Sequence, residues 1–151
     1  MEFKDLKELE KYLEKQINDS LKTDVKTKTG ILIESHIAND VYAKTAPWEP
    51  KVYNRTFNLI ESVSGDMISN DELKIYIDDN IAQSHHMYNK NQPLEPYAEI
   101  VETGIGYDFD KPYPYNQPRP FFANSVEELK DGKAKEYLKD ALKKRGLNVE
   151  G

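Results

Sequence analysis

Leu73-Lys74-Ile75-Tyr76-Ile77-Asp78 alternates apolar and polar side chains over six residues. A period of two places Leu73, Ile75 and Ile77 on one face of a strand and Lys74, Tyr76 and Asp78 on the other. With helical spacing on either side of it, this stretch makes the chain read as an α+β domain. Just before it, Ser69-Asn70-Asp71 has the composition of a turn. Phe57, Leu59-Ile60, Val63 and Met67-Ile68 lead into that turn. Residues 57–69 and 72–78 are therefore predicted as a hairpin, with Gly65 a candidate bulge.

Toward the N-terminus the period lengthens. Phe3, Leu6, Leu9, Leu13, Ile17 and Leu21 recur every three or four residues, which predicts an amphipathic helix over 3–21. Lys4, Lys7, Lys11 and Lys15 interleave with Glu8, Glu10 and Glu14 on its outer side. Each such pair is worth only about 0.2–0.5 kcal/mol, so the apolar stripe decides the helix. Val25, Ile33, Ile37 and Val41 predict a second helix over 24–45, bent at Gly30 and stopped before Pro47. Toward the C-terminus, residues 81–96 are polar, hold Pro93 and Pro96, and read as a loop. Tyr97 to Thr103 reads as another strand, closed by Gly104. Residues 104–120, with two glycines, four prolines and three tyrosines, are too long for a simple connector and read as a functional loop. A last helix starts near Pro120, carries Phe121, Ser125, Leu129, Tyr137, Leu138, Ala141 and Leu142 on its apolar side, and ends at Arg145-Gly146. The expected architecture is one α+β domain. Residues 1–45 form two N-terminal helices, 46–104 a small, mostly antiparallel sheet, 105–119 a long Pro/Tyr-rich loop and 120–146 a C-terminal helix.

Composition narrows the function classes. The chain of 151 residues is 38% hydrophobic and 32% charged, more polar than an average domain. Ten tyrosines favour surfaces that meet partners, since each joins apolar area to a polar tip. With no cysteine, disulfides, thiolate catalysis and Cys-ligated zinc are excluded. No stretch approaches the roughly 20 apolar residues of a membrane helix, and the N-terminus lacks a signal-peptide pattern. The net charge of −6 is unevenly spread: residues 61–110 hold eleven acids against Lys74 and Lys90. That middle segment would repel phosphate, where a nucleic-acid-gripping domain shows a basic face.

Candidate chemistry is sparse. His85-His86 is the only histidine pair, and neighbours on a strand point to opposite faces, so the pair reads as part of a polar loop. Thr103-Gly104-Ile105-Gly106 lacks the third glycine, the Lys-Ser/Thr pair and the following helix of a phosphate loop. Asp78-Asp79, Glu99, Glu102, Asp108 and Asp110 are numerous, but acid-base work needs environments that separate their pKa values. A solvated acidic face is the plainer reading. As strand residues three apart, Glu99 and Glu102 would face opposite ways, leaving one to meet Arg55 or Arg119. Ser62, Ser64 and Ser125 lack a nucleophile elbow. No catalytic residue, cofactor or metal site is expected.

Two runs carry a pattern of another kind. Tyr53-Asn54-Arg55-Thr56 leads to Leu59 and Ser62, after Pro47. Tyr97-Ala98-Glu99-Ile100-Val101-Glu102-Thr103-Gly104 is followed by Arg119-Pro120-Phe121-Phe122. In this order and spacing, over roughly residues 45–130, the chain resembles the tail-completion or neck proteins of long-tailed bacteriophages, also labelled head–tail joining or minor tail components. By that resemblance, Pro47, Tyr53, Arg55 and Thr56 match the turn into the first strand, and Leu59 and Ser62 the strand. Tyr97, Ala98, Glu102, Thr103 and Gly104 match the segment closing the sheet, and Arg119, Pro120 and Phe121 the start of the last helix. The chain departs at Phe57, where the family usually has glycine, a residue that serves positive φ.

The resemblance implies a virion protein without catalysis, assembled in the host cytoplasm. Its copies would form a sixfold ring between the connector and the tail tube, with DNA passing through unbound and no membrane involved. A ring needs a heterologous interface that closes on itself. Tyr107, Phe109, Tyr113, Tyr115 and Phe122 are the candidate subunit contacts, against the plainer reading of a loop packed on its own core. Acids such as Asp66, Asp71, Asp78 and Asp79 would line the lumen and keep the duplex sliding. The competing readings are a monomeric or dimeric protein-binding adaptor and a small metal-dependent hydrolase.

Overall fold

The computed structural model describes residues 2–45, 57–84, 93–106 and 117–150. In chain order they form helix α1 (Leu6–Ser20), a π-turn (Leu21–Val25), α2 (Lys26–His36), a second π-turn (Ile37–Tyr42), α3 (Ala43–Thr45) and α4 (Asn58–Glu61). Strands β1 (Val63–Met67), β2 (Leu73–Ile77), β3 (Gln83–Ser84) and β4 (Glu95–Pro96) follow. Then come α5 (Ala98–Thr103), α6 (Phe121–Glu128), a third π-turn (Leu129–Lys133) and α7 (Ala134–Lys144). The class is α+β, as the alternation at 73–78 requires, with two two-stranded sheets among the described residues, β1-β2 and β3-β4. By contacts the chain divides into two compact units, one of residues 1–31, 65–75 and 128–151, the other of residues 32–64 and 76–127.

Several elements differ from the sequence expectation. The two N-terminal helices do not stop between residues 21 and 24. Leu21 and Lys26 keep right-handed helical angles, and the Lys26 N–H reaches the Leu21 carbonyl, the five-residue step of a π-turn. Residues 57–62 are not strand. Leu59 and Ser62, three apart, are both buried on one side of the single turn α4, and β1 begins only at Val63. The segment read as a strand over Tyr97–Thr103 is helix α5 from Ala98 on: Ala98 and Val101 turn inward at helical spacing, and Gly104 (φ 71) ends the turn in the left-handed region. Glu99 and Glu102 therefore share a helix side. The segment 81–96, read as loop, contributes β3 and β4, with Gln83 opposite Pro96 and Ser84 opposite Glu95. The last helix breaks at Asp131 and Gly132 (φ 115).

In the first unit, α1 opens on Asp5, whose Oδ1 accepts from the Glu8 N–H (2.8 Å), while Glu8 Oε2 accepts from the Lys4 N–H (2.7 Å). Helix α7 is tied by its C-terminal end. Arg145 Nε donates to Ser20 Oγ (2.9 Å), and its Nη2 donates to the Asp19 carbonyl (2.9 Å) and Thr23 Oγ1 (2.8 Å). Behind it, the Gly146 N–H bonds the Lys143 carbonyl and the Leu147 N–H the Leu142 carbonyl, a Schellman end around Gly146 (φ 84). Lys144 Nζ meets Asp24 at 2.8 Å and Lys28 Nζ meets Asp140 at 2.9 Å. These partners hold both aspartates below the ordinary carboxylate range and raise Lys28. Val25, Thr29 and Ala141 are buried here. Gly65 is no bulge. An added Cβ would stand 2.5 Å from Ile75 Cδ1 and 3.3 Å from Lys26 Cε and the Lys74 carbonyl, so glycine here lets the Ile75 and Lys26 side chains pack close over the strand.

The second unit holds the larger apolar core, with Ile33, Ile37, Val41, Leu59, Ala82, Ala98, Val101 and Phe121 all buried. Phe57 sits before α4 at φ 61, in the left-handed region that favours glycine. Its ring meets Tyr42 edge-on at 5.4 Å, and Tyr42 Oη accepts from the Ile60 N–H.

Candidate functional site

Two of the motif segments, Tyr97–Gly104 and Arg119–Phe121, meet in the second unit, where α5 meets the start of α6, while Leu59 and Ser62 sit on α4 of the same unit. Gly104 lets the chain turn beneath α6: a Cβ there would lie 2.8 Å from both Gln117 C and Pro118 N. The returning strand of backbone is pinned by the Arg119 N–H on the Val101 carbonyl (3.1 Å). Glu102, one residue on from Val101, then reaches the first turn of α6. Its Oε2 accepts from the Phe122 N–H (3.0 Å) and its Oε1 from the Ala123 N–H (2.9 Å). A carboxylate at a helix N-terminus satisfies N–H groups that have no partner within the helix and is favoured by the helix dipole. Glu102 is thus spent on the helix and makes no ion pair with Arg119 among the described residues.

The other motif positions are also absorbed by the fold. Ser62 Oγ donates to the Leu59 carbonyl (2.6 Å), and Thr103 Oγ1 donates to the Glu99 carbonyl (2.8 Å) while accepting from the Ile105 N–H. The Tyr97 N–H bonds the Ala82 carbonyl, and Ala98 is buried. Arg119 and Phe121 are buried, and Phe121 stacks edge-on with the half-exposed Phe122 at 6.5 Å. Pro120 leads into α6, where its carbonyl accepts from the Asn124 N–H. Pro47, Tyr53, Arg55, Thr56, Tyr107, Phe109, Tyr113 and Tyr115 lie outside the described residues, as does His85-His86.

A polar cluster escaped the sequence reading. Asp40 Oδ2 is shared by His36 Nδ1 (2.7 Å) and Asn124 Nδ2 (2.9 Å), joining the second π-turn to α6. Burial pushes the Asp40 carboxyl up, but the bonds from Asn124 and His36 outweigh it and hold it below its ordinary value. His36 and Asp40 are four apart on a predicted helix, the signal that could have paired them; Asn124, 84 residues away, has none. The cluster fixes two elements together inside the second unit. Among the described residues, no three His, Asp or Glu side chains are grouped to hold a metal, and no helix is long and apolar enough to cross a membrane.

Several large apolar side chains stay outside among the charged ones. Leu6 is 78% exposed and Ile68 58% in the first unit; Phe57, Ile81, Leu94 and Ile105 are exposed in the second. No solved structure matches the chain. The chain is 30% identical over 128 residues to the SPbeta prophage-derived uncharacterized protein YomN of Bacillus subtilis (strain 168), covering 83% of this chain and 79% of that one. The YomN family model matches residues 5–145. The chain therefore belongs to the YomN family and is a phage-associated protein.

Proposed function

We propose that the protein is a structural component of the phage neck or tail, assembling as a sixfold ring at the head–tail junction and joining the connector to the tail tube. The observation that carries this reading is the division of labour among its side chains. Ser62, Glu102 and Thr103 are used on backbone groups within their own unit, while Phe57, Ile81, Leu94 and Ile105 stay exposed there. Polar groups that set shape and apolar groups left for partners suit a building block. Kinship with a prophage-derived protein supports a place in a phage programme. In this reading the protein makes and breaks no bonds, works in the virion after assembly in the host cytoplasm, and uses Asp66, Asp71, Asp78 and Asp79 to keep DNA moving past without binding.

Deleting the gene from an inducible lysogen tests the proposal. The expected outcome is DNA-filled heads and separate tails by electron microscopy, no plaques, and rescue by protein supplied from a plasmid. Tailed, infectious particles lacking the protein would overturn it.

A further inference from the structure

The first unit carries a groove of about 450 Å³ lined by Asn18, Lys22 and Lys26 on one side and by Gly65, Asp66, Met67, Ile68, Ser69 and Asn70 on the other. Six consecutive residues of β1 and its turn line it, and none of β2. Side chains alternate between the two faces of a strand, so a groove touching neighbours of both orientations follows the strand's edge. Hydrogen bonding agrees. The Asp78 N–H bonds the Ser62 carbonyl and the Ile68 N–H the Glu72 carbonyl, so Ser62 faces Asp78 and Ile68 faces Glu72 with no residue inserted between them. Asp66 then pairs with Lys74, and the N–H and C=O groups of Gly65 and Met67 point away from β2. Those groups have no backbone partner among the described residues, and the sheet has only two strands.

The opposite wall supplies charge. Lys22 and Lys26 are exposed and make no ion pair among the described residues. Lys26 Cε lies 3.3 Å from where a Cβ on Gly65 would stand, so the Lys26 stem packs over Gly65 and both line the groove. Four apart on a helix, the two Cβ atoms lie about 5–6 Å from each other. Alternate side chains on an extended strand are about 6.5–7 Å apart and point the same way. Asp66 points to the other face, because its neighbour Gly65 faces Lys26.

We infer that this groove binds an extended segment of a partner polypeptide with carboxylates at alternate positions. The segment adds as a third strand along β1, its backbone pairing with Gly65 and Met67, its two acids meeting Lys22 and Lys26, and its intervening side chain passing Asp66. Met67 and the exposed Ile68 give apolar contact at the edge. A strand edge alternates N–H and C=O groups, so its partner must both accept and donate, as a peptide backbone does and a phosphodiester, with acceptors only, does not. The inference stands apart from the head–tail reading, since it concerns a peptide and the isolated chain.

The test titrates the full chain with a labelled peptide holding two glutamates separated by threonine and flanked by valines, and with a scrambled peptide placing the glutamates side by side. The alternating peptide is expected to bind at least tenfold tighter than the scrambled one. It should lose at least tenfold in affinity to Lys22→Glu and Lys26→Glu, variants at exposed positions whose folding is checked by circular dichroism. Hydrogen exchange should slow at Gly65 and Met67 when it binds. Equal binding of both peptides, displacement by inorganic phosphate or an oligonucleotide, unchanged exchange at those amides, or a second copy of the chain occupying the edge in light scattering would overturn it.

Discussion

Phe57 and Gly104 both hold left-handed backbone, at φ 61 and 71, yet they should respond differently to substitution. At Gly104 a side chain meets backbone atoms of Gln117 and Pro118 at 2.8 Å, which cannot yield without moving the chain into α6. Gly104→Ala is expected to cost about 2–5 kcal/mol, combining the left-handed penalty with overpacking. At Phe57, glycine would relieve about 1–2 kcal/mol of that penalty. It would also lose the Tyr42 ring contact, worth about 0.5–1.5 kcal/mol, and add about 0.5–1 kcal/mol of backbone freedom to the unfolded chain. Phe57→Gly should therefore change stability by no more than about 1.5 kcal/mol in either direction. Urea unfolding midpoints of the two variants check the contrast, and similar losses in both would refute it. Of the candidate site, the run from Tyr97 to Gly104 was legible as a unit, but the role of Glu102 was not. Its partners are backbone amides 20 and 21 residues on, which no side-chain pattern marks.

Among the elements, Gly30 sits within α2 with open space around its missing side chain and no positive φ. Alanine there keeps the helix and lowers the entropy of the unfolded chain, so Gly30→Ala should stabilise the protein by about 0.5–1 kcal/mol. A raised thermal midpoint with unchanged helical circular dichroism is the check; a lowered midpoint would mean that the bend expected at this glycine exists. The elements legible in the sequence were those with a long, clean period. The stripe from Phe3 to Leu21 and the alternation from Leu73 to Asp78 both lie where they were expected. The misread elements were short. A single turn such as Asn58–Glu61 and six residues such as Ala98–Thr103 offer too few apolar positions to separate a period of two from 3.6. The π-turns leave no mark in the pattern, because they alter hydrogen bonding and not the order of apolar residues.

At the scale of the whole molecule, Asp24, Asp40 and Asp140 give stability a defined acid limit. Hydrogen bonds from Lys144, Asn124 with His36, and Lys28 hold these carboxyls below their ordinary value near 3.9, so the unfolded chain takes up protons there before the folded one does. Their contribution is therefore present above about pH 4 and lost as pH falls below it. The urea midpoint should fall more steeply below pH 4 in the native protein than in an Asp24→Asn, Asp140→Asn double variant, and parallel loss would show that the pairs contribute nothing. Added salt should narrow the difference, since both pairs are at the surface. The tie from Arg145 back to Asp19, Ser20 and Thr23 has a consequence for synthesis. The first unit draws its last segment from residues 128–151, while the second is finished by residue 127. On the ribosome, then, the interior segment can collapse as it emerges. The C-terminal end of α1 must wait for its partner Arg145 until α7 leaves the exit tunnel, and that interval is when a nascent chain most needs a chaperone.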